Sequence, residues 1–148
     1  MSWGTWQMAR TAGTKTVERT QAAGYLGTGR TFLAAAEALA ALAGEDESYG
    51  NAIALLAVHA AIGHVDALTI GFAEKKSVSG DHRDAARLLR AVLGNRLPDK
   101  QERALMSLLN SKDAVSYQGK HFPLDDAMGL LAKAAAFAAW ADQRYEER

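Results

Sequence analysis

Histidines and lysines supply most of the chemistry this chain could perform, and their spacing limits what that chemistry is. His59, His64 and Asp66 interrupt an otherwise apolar run, while His82 and His121 stand in polar segments. His59 and His64 are five apart, so their imidazoles cannot form the i, i+4 pair of a helical zinc site. Asp66 follows His59 by seven residues and returns to the same helical face two turns on. Two readings follow: a buried, hydrogen-bonded histidine and aspartate, or a metal site drawn from His59, Asp66 and His82. The absence of cysteine excludes disulfides, thiolate ligation and a cysteine nucleophile. GxSxG, HExxH and Walker A patterns are also absent, which removes the commonest hydrolase and nucleotide-hydrolase chemistries.

A second concentration of polar side chains is KDAVSYQGKH, residues 112–121. Lys112 and Lys120 could neutralise a phosphate, and Asp113, Tyr117 and His121 could hydrogen-bond or transfer protons. The competing reading is a polar helix end on which Tyr117 packs against the last helix. Arg83, Arg87 and Arg90 recur at i, i+4 and i+7 and form the clearest basic stripe. With Asp81 and Asp84 beside them, the stripe is either a solvated, salt-bridged face or a phosphate contact. Seventeen basic residues balance 17 acidic ones, so no global field announces nucleic-acid binding and any such role rests on local patches.

These groups must be positioned by helices. GNAIALLAVHAAIGHVDALTIGF, residues 50–72, is apolar or small at nearly every position and therefore predicts a central helix with neighbours on several sides. Its charge and histidines argue against a membrane span. It is expected to continue to about Lys76. Before it, residues 16–43 predict a helix with Phe32, Ala35, Ala36, Leu39 and Leu42 or Ala43 inward. The YLGTGR segment there carries GxG without a preceding strand or the full GxGxxG pattern, which suits close helix packing or a kink. Asp81 is the expected N-cap of a helix over 82–94, and Pro98 opens a fourth helix. Pro123 starts a last helix with Leu124, Met128, Leu131, Ala135, Ala138 and Phe137 inward, leaving Leu130 and Trp140 off its stripe. Period-two alternation is nowhere evident, so no strand is expected. Residues 1–14, with Trp3 and Trp6, read as an irregular arm, and residues 15–148 as one all-α domain of about five helices.

The run VHAAIGHVDAL, the helix DHRDAARLLRAVL, the segment ALMSLLNSKDAVSYQGK and a final Ala-rich helix together resemble the HEPN superfamily of small helical bundles. The resemblance covers roughly residues 30–142. It implies an up-and-down bundle of four to five helices, frequent homodimerisation, and a family history of RNA cleavage in toxin and defence systems. The family's ribonuclease motif is an arginine, usually a polar residue, then a histidine after four to six intervening positions. Here Lys112 stands in the arginine's place, Asp113 in the polar position and Tyr117 in the histidine's, and His121 lies beyond the spacing. Tyrosine is a poor base at neutral pH, and lysine lacks the planar fork of arginine.

The expectation is therefore a HEPN-like, cytoplasmic, homodimeric binding or assembly protein that contacts RNA or a partner protein, with the ribonuclease motif degenerate. The alternative is a metal-independent endoribonuclease of the toxin type, using Lys112 with Tyr117 or His121. The expected nucleic-acid contacts are Arg83, Arg87, Arg90 and Lys120, and no cofactor or metal is required. A cognate antitoxin or nucleotidyltransferase-type protein is the expected partner outside the homodimer, and no membrane association is expected.

Overall fold

The computed structural model describes residues 13–116 and 119–148, so the tryptophans of the arm, Tyr117 and Gln118 lie outside the described residues. Among the described residues the chain folds as an all-α bundle of five long helices, a short sixth and one small β-ribbon. In chain order these are β1 (Thr14–Thr16), α1 (Ala22–Ala43), α2 (Gly50–Ala73), β2 (Lys75–Ser77), α3 (Arg83–Leu93), α4 (Asp99–Asn110), α5 (Lys112–Ser116) and α6 (Leu124–Tyr145). Single 3-10 turns sit at Arg19–Gln21, Glu47–Tyr49 and Gly94–Arg96.

Helix α2 is the axis of the fold, as its all-round apolar sequence predicts. From Gly63 to Gly71 every residue is buried, and α1 and α6 cover its two long sides while α3, α4 and α5 complete the enclosure. It is long and apolar enough to cross a membrane, yet most of it is buried by the chain's own helices, as a core helix is. Where α1 crosses it, backbone meets backbone. A Cβ on Gly63 would stand 2.7 Å from the Cα of Gly29, and one on Gly29 would stand 2.9 Å from His64 Nδ1. The glycine of the GxG segment that matters is thus Gly29, used for close packing.

The expected continuation of α2 to Lys76 does not occur. The helix stops at Ala73, and Glu74 takes a left-handed conformation (φ 55°) with its N–H donating to Ile70 O at 2.9 Å. Residues 75–77 then turn back as β2 and pair antiparallel with β1, Lys15 opposite Lys76, where no strand was expected. Two three-residue strands are too short to show alternation, and the ladder exists only because the chain's beginning lies beside the end of α2. Arg19 secures that corner: its Nε donates to Gly71 O at 2.7 Å, capping α2, and its guanidinium lies 3.6 Å from Glu74. Helix α1 begins at Ala22, six residues after the expected start, because residues 14–16 are in the ribbon.

At α3, His82 holds the N-cap position, and the Asp81 carboxylate accepts the Arg83 N–H at 3.0 Å from one residue earlier. In α6, Leu124, Leu131 and Ala138 are buried as expected, but Met128 is exposed. Leu130 is buried, and Trp140 lies with its ring 5.6 Å from that of Phe137, so both are accommodated within the chain.

Candidate functional site

One face of α2 meets the ribbon, the start of α3 and the start of α5 around a cavity of about 390 Å³. Its polar lining is His59 and Asp66 from α2, Lys76 and Ser77 from β2, His82 before α3 and Lys112 from α5, with Ile62, Val78 and Ala85 as apolar wall. The helical repeat of seven puts His59 and Asp66 on this one face, and the cavity has two chemically distinct ends.

At the Asp66 end the carboxylate is 5% exposed and 3.8 Å from Lys76 Nζ. Burial pushes its pKa up to about 6, and the Lys76 and Lys15 charges offset only part of that rise. Lys76 is itself held in place: its Nζ donates to Ser77 O at 3.3 Å and lies 5.8 Å from the centre of the Tyr25 ring. At the other end, His59 packs 5.6 Å from the Phe32 ring. Burial first, and then the charges of Lys112 and His82, hold the His59 imidazole below its ordinary pKa. His59 is accordingly a neutral base near pH 7. Among the described residues, the side chains of His59, His82 and Lys112 have no hydrogen-bond or ion-pair partner.

The structure does not assemble His59, Asp66 and His82 into a metal site. All three line the cavity, yet among the described residues no group of three or more histidine and carboxylate side chains is arranged to hold a metal ion. His64, by contrast, is fully buried on the opposite side of α2. Its Nδ1 lies 2.8 Å from Ala60 O, and its Nε2 lies 3.5 Å from Asp142, which also bonds Arg30 at 3.1 Å.

The segment 112–121 is split rather than gathered. Lys112 lines the cavity, and Asp113 lines the adjoining polar pocket with Asp81, His82 and Arg83. Lys120 and His121 lie at the N-terminal end of α2, where His121 Nε2 is 3.4 Å from Glu47. Asn51 holds this arrangement. Its Nδ2 donates to Val115 O (3.1 Å) and Lys120 O (2.9 Å), while its Oδ1 accepts the Phe122 N–H at 2.8 Å. Glu47 helps by accepting the Leu124 N–H at 3.0 Å, at the positive end of α6.

The arginine stripe is closely paired with acids. Arg83 makes a two-bond contact with Asp81 (3.0 and 3.1 Å), holding that carboxyl down at about 2, and Arg87 bonds Asp84. Arg90 is more deeply engaged: it donates to Gly94 O (2.7 Å), Leu97 O (2.8 Å), Asp99 (3.1 Å) and both oxygens of Glu102. Lys76, Asn51 and the pairing of His59 with His82 carry no local sequence signal as a site, because strand pairing and loop docking bring them into place. Comparison with protein-family profiles, curated proteins and solved structures finds no match to this chain.

Proposed function

We propose that this chain is a HEPN-like binding and assembly module that contacts RNA at the mouth of the α2–α3–α5 cavity and lacks the ribonuclease motif of that superfamily. The observation supporting this reading is the position of Lys112, which stands beside His59 and His82 without an acidic partner among the described residues. A cation of that kind is available to a phosphate, whereas Arg90 is committed to tying α3 to α4. Arg83, which lines the adjoining pocket, and Arg87 remain largely exposed and extend the surface, exchanging Asp81 and Asp84 for phosphate when RNA is present. Lys120 would reach a more distant part of the strand. The same reading makes the protein a cytoplasmic homodimer and leaves an antitoxin or nucleotidyltransferase-type protein as its further partner.

Anisotropy with a labelled single-stranded RNA tests this directly. Binding should weaken as salt is raised, and Lys112→Ala should lower both affinity and the salt slope, the latter by about one. Affinity independent of salt and of Lys112 would remove the RNA reading.

A second reading, a metal-independent endoribonuclease of the toxin type, is favoured by the two imidazoles beside Lys112. His59, held neutral, would take the 2′-hydroxyl proton and His82 would protonate the leaving oxygen, with Lys112 on the phosphate. In this arrangement His59 and His82 take the roles first considered for Tyr117 and His121. Cleavage of RNA in the presence of chelator, abolished by His59→Ala, would establish it.

A further inference from the structure

The cavity has an anion-receptive end and a hydrogen-bonding end, separated by the two helical turns between His59 and Asp66. At the first, a primary amine and two imidazoles converge and none of them is paired with a carboxylate among the described residues, while Asp81, before α3, and Asp84, within it, are drawn to arginines. At the second, the Asp66–Lys76 pair and the Ser77 hydroxyl can accept and donate to hydroxyl groups, and Ile62, Val78 and Ala85 give the space between an apolar wall. Its volume of about 390 Å³ falls near the lower end of the range for small-ligand sites, about 300–1,000 Å³.

We infer that the cavity between α2, β2, α3 and α5 is a binding site for a hydroxylated phosphate monoester, its phosphate held by Lys112, His59 and His82 and its hydroxyl groups by Asp66 and Lys76. A dianionic phosphate suits three clustered donors better than a carboxylate does, since it offers three oxygens in a tetrahedral array. Lys112 and His82 lie close enough to His59 to add to the effect of burial on its imidazole, and such a guest offsets their charge. The four surrounding elements wall the cavity on several sides, which favours a chain end or a free small molecule over a strand running through. This inference names the ligand chemistry of the site proposed above to contact RNA, and the monoester can come from a free sugar phosphate or from the phosphorylated end of an RNA.

The full-length chain titrated with ribose 5-phosphate, ribose and inorganic phosphate, followed by the ring resonances of His59 and His82, tests the inference. Ribose 5-phosphate should shift both imidazoles and bind more tightly than either fragment, and Lys112→Met, whose unfolding midpoint should stay at the wild-type value, should weaken it about tenfold or more. Asp66→Asn should weaken ribose 5-phosphate while leaving inorganic phosphate unchanged. Two RNA oligonucleotides of one sequence, with a 5′-phosphate or a 5′-hydroxyl, separate the sources. Preference for the phosphorylated oligonucleotide supports the inference and assigns the monoester to a chain end. Binding of ribose 5-phosphate with no binding of either RNA also supports it and removes the RNA reading. Equal binding of both oligonucleotides with no response to ribose 5-phosphate overturns it and leaves the RNA reading standing. Ribose binding as tightly as its phosphate, or unshifted imidazoles at millimolar ligand, overturns it outright.

Discussion

Asp66 shows what a single buried group costs this fold. Its carboxyl titrates near 4 in an unfolded chain and at about 6 in the folded one, mainly because burial disfavours the charge and Lys76 offsets that only partly. Between those two values the folded protein holds a proton that the unfolded chain releases, so stability falls as pH rises through this window. Replacing Asp66 by Asn should abolish that slope and, above about pH 6, raise the unfolding free energy by roughly 1–3 kcal/mol. Chemical denaturation at pH 4.5 and pH 7 checks it, and an unchanged slope in the variant would show that Lys76 already satisfies the carboxylate. Arg90 belongs to the same scale. It bonds two carbonyls and two carboxylates, so Arg90→Ala should lower the unfolding midpoint measurably, whereas Arg83→Ala and Arg87→Ala, exposed pairs, should each lower it far less. Equal losses at the three positions would contradict this assignment.

At the scale of elements, the α1–α2 crossing depends on two glycines that meet face to face. Gly63→Val would push a side chain into the backbone of α1 at Gly29 and Tyr25, and should destabilise the protein by about 1–3 kcal/mol. Gly27, two residues before Gly29 in α1, has open space where a Cβ would stand, so Gly27→Ala should instead stabilise by about 0.5–1 kcal/mol through helix propensity. Urea unfolding of the pair measures both signs, and a stable Gly63→Val protein would mean that the helices do not approach so closely. The segment after α4 is clipped to α2 by Asn51. Asn51→Leu removes three hydrogen bonds that hold Val115, Lys120 and Phe122, and hydrogen exchange over residues 112–122 should rise markedly while that of α1 stays unchanged.

For the whole molecule, the proposed homodimer rests on the HEPN resemblance. The apolar surplus expected on α6 is absorbed inside the chain, since Leu130 is buried and Trp140 packs on Phe137. Leu42, Val78 and Met128 are the large apolar side chains left exposed among the described residues. Light scattering at micromolar concentration should report a mass near twice 15.8 kDa, and a clean monomer there would confine any RNA site to one chain.

Helix content, the central place of α2 and part of the inward face of α6, Leu124, Leu131 and Ala138, were legible in the sequence because helical periodicity is local: residues three and four apart share a face whatever lies opposite. The same locality placed His59 and Asp66 on one side of α2. Tertiary structure alone decided what faces them. Lys76 reaches Asp66 only through a three-residue strand pairing across sixty positions, His82 and Lys112 arrive from two separate turns, and Asn51 parts Lys112 from His121 by docking the loop between them. The character of the arginine stripe was likewise undecided by spacing. Arg83 and Arg87 take the neighbouring Asp81 and Asp84, but the acids on Arg90, Asp99 and Glu102, are brought to it across the α3–α4 turn, which depends on chain path rather than on helical period.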